Sequence, residues 1–154
     1  MFYYICILKT DLVSILEKKS IENFQAIDLL INGKLNAPVI HCAYYSSLQL
    51  LIHNFYKYTG ISEAQAISNI KANGKSHQYF LNMYVEEIKT LDSRNASKFL
   101  NFFNSFKRKR NESDYNNIDI NDSDSKEAKV CAEKIKIFLN KVSNEGKCEN
   151  IYNI

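Results

Sequence analysis

Chain breakers are almost absent from this sequence. It holds 4 Gly and 1 Pro in 154 residues. A turn-rich β architecture needs glycine and proline at its reversals, so this shortage predicts long helices joined by few turns. A chain of this length forms one domain and can bury a core without disulfide staples.

Apolar spacing places the helices. Ser20 reads as an N-cap for a helix over 20–32, with Phe24, Ile27, Leu30 and Ile31 turned inward and Gly33 as the C′ glycine. Asn36-Ala37-Pro38 opens a long helix, with proline tolerated in its first turn. Ile40, Tyr44, Leu48, Leu51 and Phe55 form its stripe, and Gly60 stops it. Ser62-Glu63-Ala64-Gln65 reads as a capping box for a short helix ending near Gly74. Ser76 caps a helix through Leu91 carrying Phe80, Tyr84 and Ile88. Asp92 or Ser93 caps a Phe-rich helix through about Ser113. A polar run over 116–125 predicts a loop of about ten residues, longer than the usual connection. Asp124-Ser125-Lys126-Glu127 then caps a last helix whose buried face is Cys131, Ile135, Phe138 and Val142.

The fold class expected is all-α, an up-down helical bundle of four long helices with one or two short extra helices. Residues 1–19 are expected as an N-terminal arm or first strand leading into a short amphipathic helix over 11–19. The bundle covers 20–143, and 144–154 reads as a frayed tail. Met1-Phe2-Tyr3-Tyr4-Ile5-Cys6-Ile7-Leu8 is too short to span a bilayer and makes a poor secretory signal. No membrane association is expected.

Cys6, Cys42, Cys131 and Cys148 form no C-x-x-C pair and no zinc-type spacing with histidine. A reduced, cytoplasmic setting and a buried free thiol at Cys131 are expected. No P-loop, Rossmann glycines, nucleophile elbow or metalloprotease motif occurs, so neither cofactor nor metal is expected. The net charge of +3 is too mild to indicate nucleic-acid binding by bulk electrostatics.

One local cluster stands out. The stripe Ala96, Phe99, Phe103, Phe106 continues onto Arg110, so a guanidinium falls where the pattern calls for a hydrophobe. Asp114 follows four residues later, within helical reach. Burying an unpaired arginine is costly, and Asp114 and Tyr115 offer partners. The basic run of Lys107, Arg108 and Lys109 complements a helix C-terminus, or supplies phosphate contacts through Lys107 and Arg108. Ser76-His77 sets an imidazole at a helix start, where a neutral ring could act as a base. Tyr44, Tyr45 and His41 read as structural contacts.

The motif Ala43-Tyr44-Tyr45-Ser46-Ser47-Leu48, then Ser76-His77, then Arg110-Asn111-Glu112-Ser113-Asp114-Tyr115, and a last helix with Ala128, Ala132 and Phe138 occur in order. Together, across roughly residues 20–142, they resemble the HEPN superfamily (higher eukaryotes and prokaryotes nucleotide-binding). They look most like its small stand-alone branch with a Tyr-Tyr helix and an Arg-x-x-x-Asp-Tyr ending. The resemblance implies an all-α, commonly homodimeric protein. It implies RNA or a nucleotide as ligand and a metal-independent ribonuclease of a toxin–antitoxin or phage-defence system. The alternative it implies is a non-catalytic module paired with a nucleotidyltransferase-type antitoxin. On the enzyme reading Arg110 stabilises the phosphate, Asp114 orients it, Tyr115 contacts substrate and His77 is an outside base. The nucleases of the superfamily carry a histidine shortly after the arginine. No histidine follows Arg94, Arg108 or Arg110 five to seven residues on.

Overall fold

A computed structural model describes the backbone of residues 2–73, 76–91, 93–116 and 118–145, with side chains described for 15–72, 76–90, 93–116 and 118–142. It is all-helical, with no strand among the described residues. The elements are α1 (Phe2–Asn32), α2 (Asn36–Thr59), α3 (Glu63–Asn73), α4 (Ser76–Leu91), α5 (Ser93–Tyr115) and α6 (Asp122–Glu145). The expected tail lies mostly outside the described residues.

α2 is the centre of the helical bundle. It packs against α1, α4, α5 and α6, while α4 also packs on α5 and α3. Its stripe Ile40, Tyr44, Leu48, Leu51 and Phe55 is buried as the spacing predicts. So are Phe80, Tyr84 and Ile88 of α4, Ala96, Phe99, Phe103 and Phe106 of α5, and Ile135, Phe138 and Val142 of α6. The Phe99 and Phe138 rings stack with centroids 4.4 Å apart, joining α5 to α6. Each fully buried ring of this size contributes about 1.5–3 kcal/mol by leaving water. Ser62 and Gln65 form the expected capping box: the Ser62 N–H donates to Gln65 Oε1 (3.0 Å) and the Gln65 N–H to Ser62 Oγ (3.3 Å). Gly60 ends α2 in the left-handed conformation, at φ 67°.

Three boundaries differ from expectation. The arm and the helix start at Ser20 are replaced by one continuous α1 from Phe2. Ser20 caps nothing. Its hydroxyl donates to Ser46 O (2.8 Å), and Ser46 Oγ donates back to Ser20 O (2.9 Å), a buried exchange that locks α1 to α2. At the end of α1 the left-handed residue is Lys34 (φ 56°), one place beyond Gly33. The Leu35 N–H bonds to Leu30 O and the Lys34 N–H to Ile31 O, the two hydrogen bonds of a Schellman ending. The loop before α6 is shorter than expected because Asn121, not Asp124, is the N-cap. Asn121 Oδ1 accepts from the Ser123 and Asp124 N–H groups, and Asp124 Oδ2 accepts from the Asn121 N–H.

Cys131 is a free thiol but only half-buried, as is Cys42. Among the described residues no helix is long and apolar enough to cross a membrane.

Candidate functional site

The first turn of α6 fixes one end of the bundle. Ser125 is buried and its hydroxyl donates to Asn36 Oδ1 (2.8 Å), while Asn36 Nδ2 donates to Asp122 Oδ1 (3.1 Å). Ser113 Oγ donates to Ala37 O (3.5 Å), bringing the last turn of α5 to the first turn of α2. Lys109 of α5 reaches Asp124 (3.4 Å) and Glu127 (2.6 Å) of α6. Burial works against the charge on Lys109, but these two carboxylates outweigh it and its pKa rises. Lys109 is thus a clamp between helices. Arg108 points outward, its side chain 75% exposed and paired loosely with Glu112.

Arg110 points inward, as the stripe demands. Its side chain is 11% exposed. Nη2 donates to Asp114 Oδ2 at 2.8 Å and to Tyr45 Oη at 3.3 Å, and Nη1 donates to Asn111 Oδ1 at 3.1 Å. The buried Nε has no hydrogen-bond partner among the described residues. The guanidinium carbon lies 5.2 Å from the Tyr45 ring centroid and 5.4 Å from that of Tyr115, an arrangement that favours the cation over both aromatic faces. Tyr115 is 76% exposed, so its ring covers Arg110 with the rest of its surface in water.

The Asp114 side chain is only 18% exposed. The oxygen that receives Arg110 also lies 3.0 Å from His41 Nδ1. An ionised carboxylate only accepts hydrogen bonds, so Nδ1 carries the imidazole proton. In the neutral ring Nε2 is then the nitrogen with the free lone pair. His41 also lies against Tyr45, with ring centroids 4.5 Å apart. An open pocket of about 310 Å³ is lined here by Ala37, Pro38, His41, Cys42 and Asp114. The positive end of α2 favours anionic groups at this position.

His77 begins α4 on the other side of the tyrosine pair. Its ring centroid is 5.9 Å from both Tyr44 and Tyr45. Its Nδ1 lies 3.2 Å from Tyr44 Oη. Tyr44 is fully buried, and burial, the neighbouring Tyr45 phenol and a smaller opposing pull from Arg110 leave its pKa well above the usual value. A buried phenol needs an acceptor, so it donates to His77 Nδ1 and the ring proton sits on Nε2. Burial, then Lys107, then Arg110 lower the His77 pKa from its ordinary 6.5, keeping the ring neutral. Lys107 donates to Gln78 Oε1 (3.3 Å), the residue after His77.

The structure therefore gathers Arg110, Asp114 and Tyr115 within contact distance, sets His77 and Lys107 beside them, and leaves Arg108 apart. The residues that sequence reasoning assigned to structure alone are His41 and Tyr45. They stand one helical turn apart beside the buried Ile40 and Tyr44, a spacing that could have marked a shared face. The partner of His41, Asp114, is 73 residues away in sequence and that of Tyr45, Arg110, is 65 away, so no local signal joins them. Two imidazoles in opposite tautomers, a cation and a carboxylate can together hold an anionic group and move a proton. No group of three or more residues that could hold a metal ion comes together among the described residues. Comparison of the chain with protein-family models, curated proteins and solved structures returned no match.

Proposed function

We propose that this chain is an HEPN-like protein that acts on RNA, cleaving the strand without a metal. Its up-down helix order, pairing into homodimers near Arg110 and cytoplasmic setting belong to the same reading. The observation that carries it is the buried Arg110 guanidinium, flanked by the Tyr45 and Tyr115 rings and held 2.8 Å from Asp114, which itself lines the pocket. A cation fixed in a poorly solvated place stabilises charge developing on a phosphorane far better than a mobile one, because it needs no reorganisation. Asp114 holds the guanidinium in place and Tyr115 offers an open ring to the substrate. His77 is neutral, and Lys107 stands close enough to lower its pKa. Lys107 and Arg108 supply the charge that draws a phosphate backbone toward this end of the bundle.

A second reading has its own support. Nη1 and Nη2 of Arg110 are both engaged and its side chain is 11% exposed. That is how a structural clamp is built, and it suits a non-catalytic module that binds a nucleotide, RNA or a nucleotidyltransferase-type antitoxin. The two are separated by RNA cleavage in EDTA with wild type beside Arg110→Ala. The ribonuclease reading expects cleavage by wild type, and a loss of at least about 100-fold in the mutant, as for removal of an oxyanion donor. No cleavage of several RNAs by folded wild type would leave the binding module standing.

A further inference from the structure

We infer that His41, on a different helix from the Arg-x-x-x-Asp-Tyr motif, is the catalytic base of this site, with Asp114 as the residue that positions it. The inference rests on the ribonuclease reading and supplies the imidazole that the motif lacks.

Three observations converge on His41. Its Nδ1 is held 3.0 Å from Asp114 Oδ2, which fixes both the tautomer and the ring orientation. Its side chain is 45% exposed and lines the pocket, so a ligand can reach it. Its Nε2 makes no hydrogen bond among the described residues. The same Asp114 oxygen binds Arg110 Nη2, so base and phosphate-stabilising cation are registered to one atom. The carboxylate of Asp114 and the guanidinium of Arg110 face His41 from α5, and Tyr45 and Cys42 face it from α2 itself.

His77 is unsuited to the same task. Tyr44 Oη occupies its Nδ1, leaving Nε2 as a donor. A neutral Nε2–H is suited instead to a hydrogen bond with a non-bridging phosphate oxygen, beside Arg110.

The step balances without any co-reactant. His41 Nε2 takes the proton of a ribose 2′-hydroxyl as the 2′-oxygen forms a bond to the adjacent phosphorus. The bond from phosphorus to the 5′-oxygen breaks. The imidazolium returns the proton to that oxygen through a water molecule, leaving a 2′,3′-cyclic phosphate and a 5′-hydroxyl. The substrate is therefore RNA, and the same strand with a 2′-deoxyribose at the scissile position is inert.

The test compares the full chain with His41→Ala and His41→Gln on an RNA that wild type cuts, with and without added imidazole. Folding of each is checked by far-UV circular dichroism. The expected result is a rate loss of at least about 100-fold in both variants, in line with loss of a general base, and partial recovery of His41→Ala alone on adding imidazole. Cleavage by either folded variant within about threefold of wild type overturns the assignment of His41 while the ribonuclease reading survives. Loss that imidazole does not restore in folded His41→Ala also overturns it. Failure of wild type to cut any RNA removes the ribonuclease reading and this base with it.

Discussion

Replacing Asp114 with alanine leaves the Arg110 guanidinium inside the bundle without its counter-ion. Breaking a buried ion pair from one side costs about 3–5 kcal/mol, because the remaining charge stays desolvated. Here the cost is reduced. The side chains are 11% and 18% exposed, and Arg110 keeps Tyr45 at 3.3 Å and Asn111 at 3.1 Å. A loss of about 2–3 kcal/mol follows for Asp114→Ala. With a urea dependence of about 2 kcal/mol per molar, the unfolding midpoint falls by about 1–1.5 M. Arg110→Met behaves differently. It removes the charge and the partnerless Nε together, and continues the Ala96, Phe99, Phe103, Phe106 stripe with an apolar chain. The carboxylate left behind retains His41 and lies closer to solvent. It too breaks the pair from one side, but the charge left behind is the better solvated of the two and keeps His41, so the cost is smaller, about 1–2 kcal/mol. Urea denaturation of the three proteins at neutral pH measures both values. If Arg110→Met loses as much stability as Asp114→Ala, the argument from charge burial is wrong.

Two other predictions come from the structure. Lys34→Gly relieves a left-handed residue at φ 56° and should raise stability by about 0.5–1 kcal/mol, after glycine's extra unfolded-state freedom is subtracted; a thermal melt that does not rise would contradict the Schellman ending at Lys34. His77 has a folded pKa below its ordinary 6.5, owing to burial, Lys107 and Arg110, so the unfolded chain binds the proton more readily. Stability is then full above that ordinary value and falls as pH drops below it toward the folded pKa. Unfolding curves from about pH 7 to pH 5 should be steeper in pH for wild type than for His77→Gln, and equal slopes would show that His77 is not held neutral.

Much of the core was legible because burial follows the helical period. The α5 stripe names the buried residues of that helix and predicts Arg110 as an inward charge, whereas α2, packed on four helices, buries Val39, Ala43, Leu50 and Tyr56 beyond its stripe. Local cues failed where a polar side chain serves a distant partner. Ser20 has the chemistry of an N-cap, but its hydroxyl is committed to Ser46, so α1 runs through it. Asp124 looks like a cap and is the second half of a box begun by Asn121. Gly33 invites the left-handed turn that Lys34 takes instead. The site was half legible for the same reason. Arg110 and Asp114 lie on one helix and could be paired by spacing, whereas His41 meets Asp114 only once α2 and α5 have packed.

The Lys109 clamp has a consequence for the connection between α5 and α6. Lys109 ties α5 to Asp124 and Glu127, and Ser125 ties α6 to Asn36, so both sides of that connection are anchored without it. Asn121 caps α6 and Ile120 packs against the core, which leaves the exposed stretch before them to serve mainly covalent continuity. Lengthening such a loop costs only about 0.6 kcal/mol for each doubling. The junction around Ile118 and Asp119, both exposed, is therefore the natural place to splice in a reporter domain or to open new chain ends by circular permutation. A tag inserted there would stand close to the pocket while leaving the helices that form it unbroken.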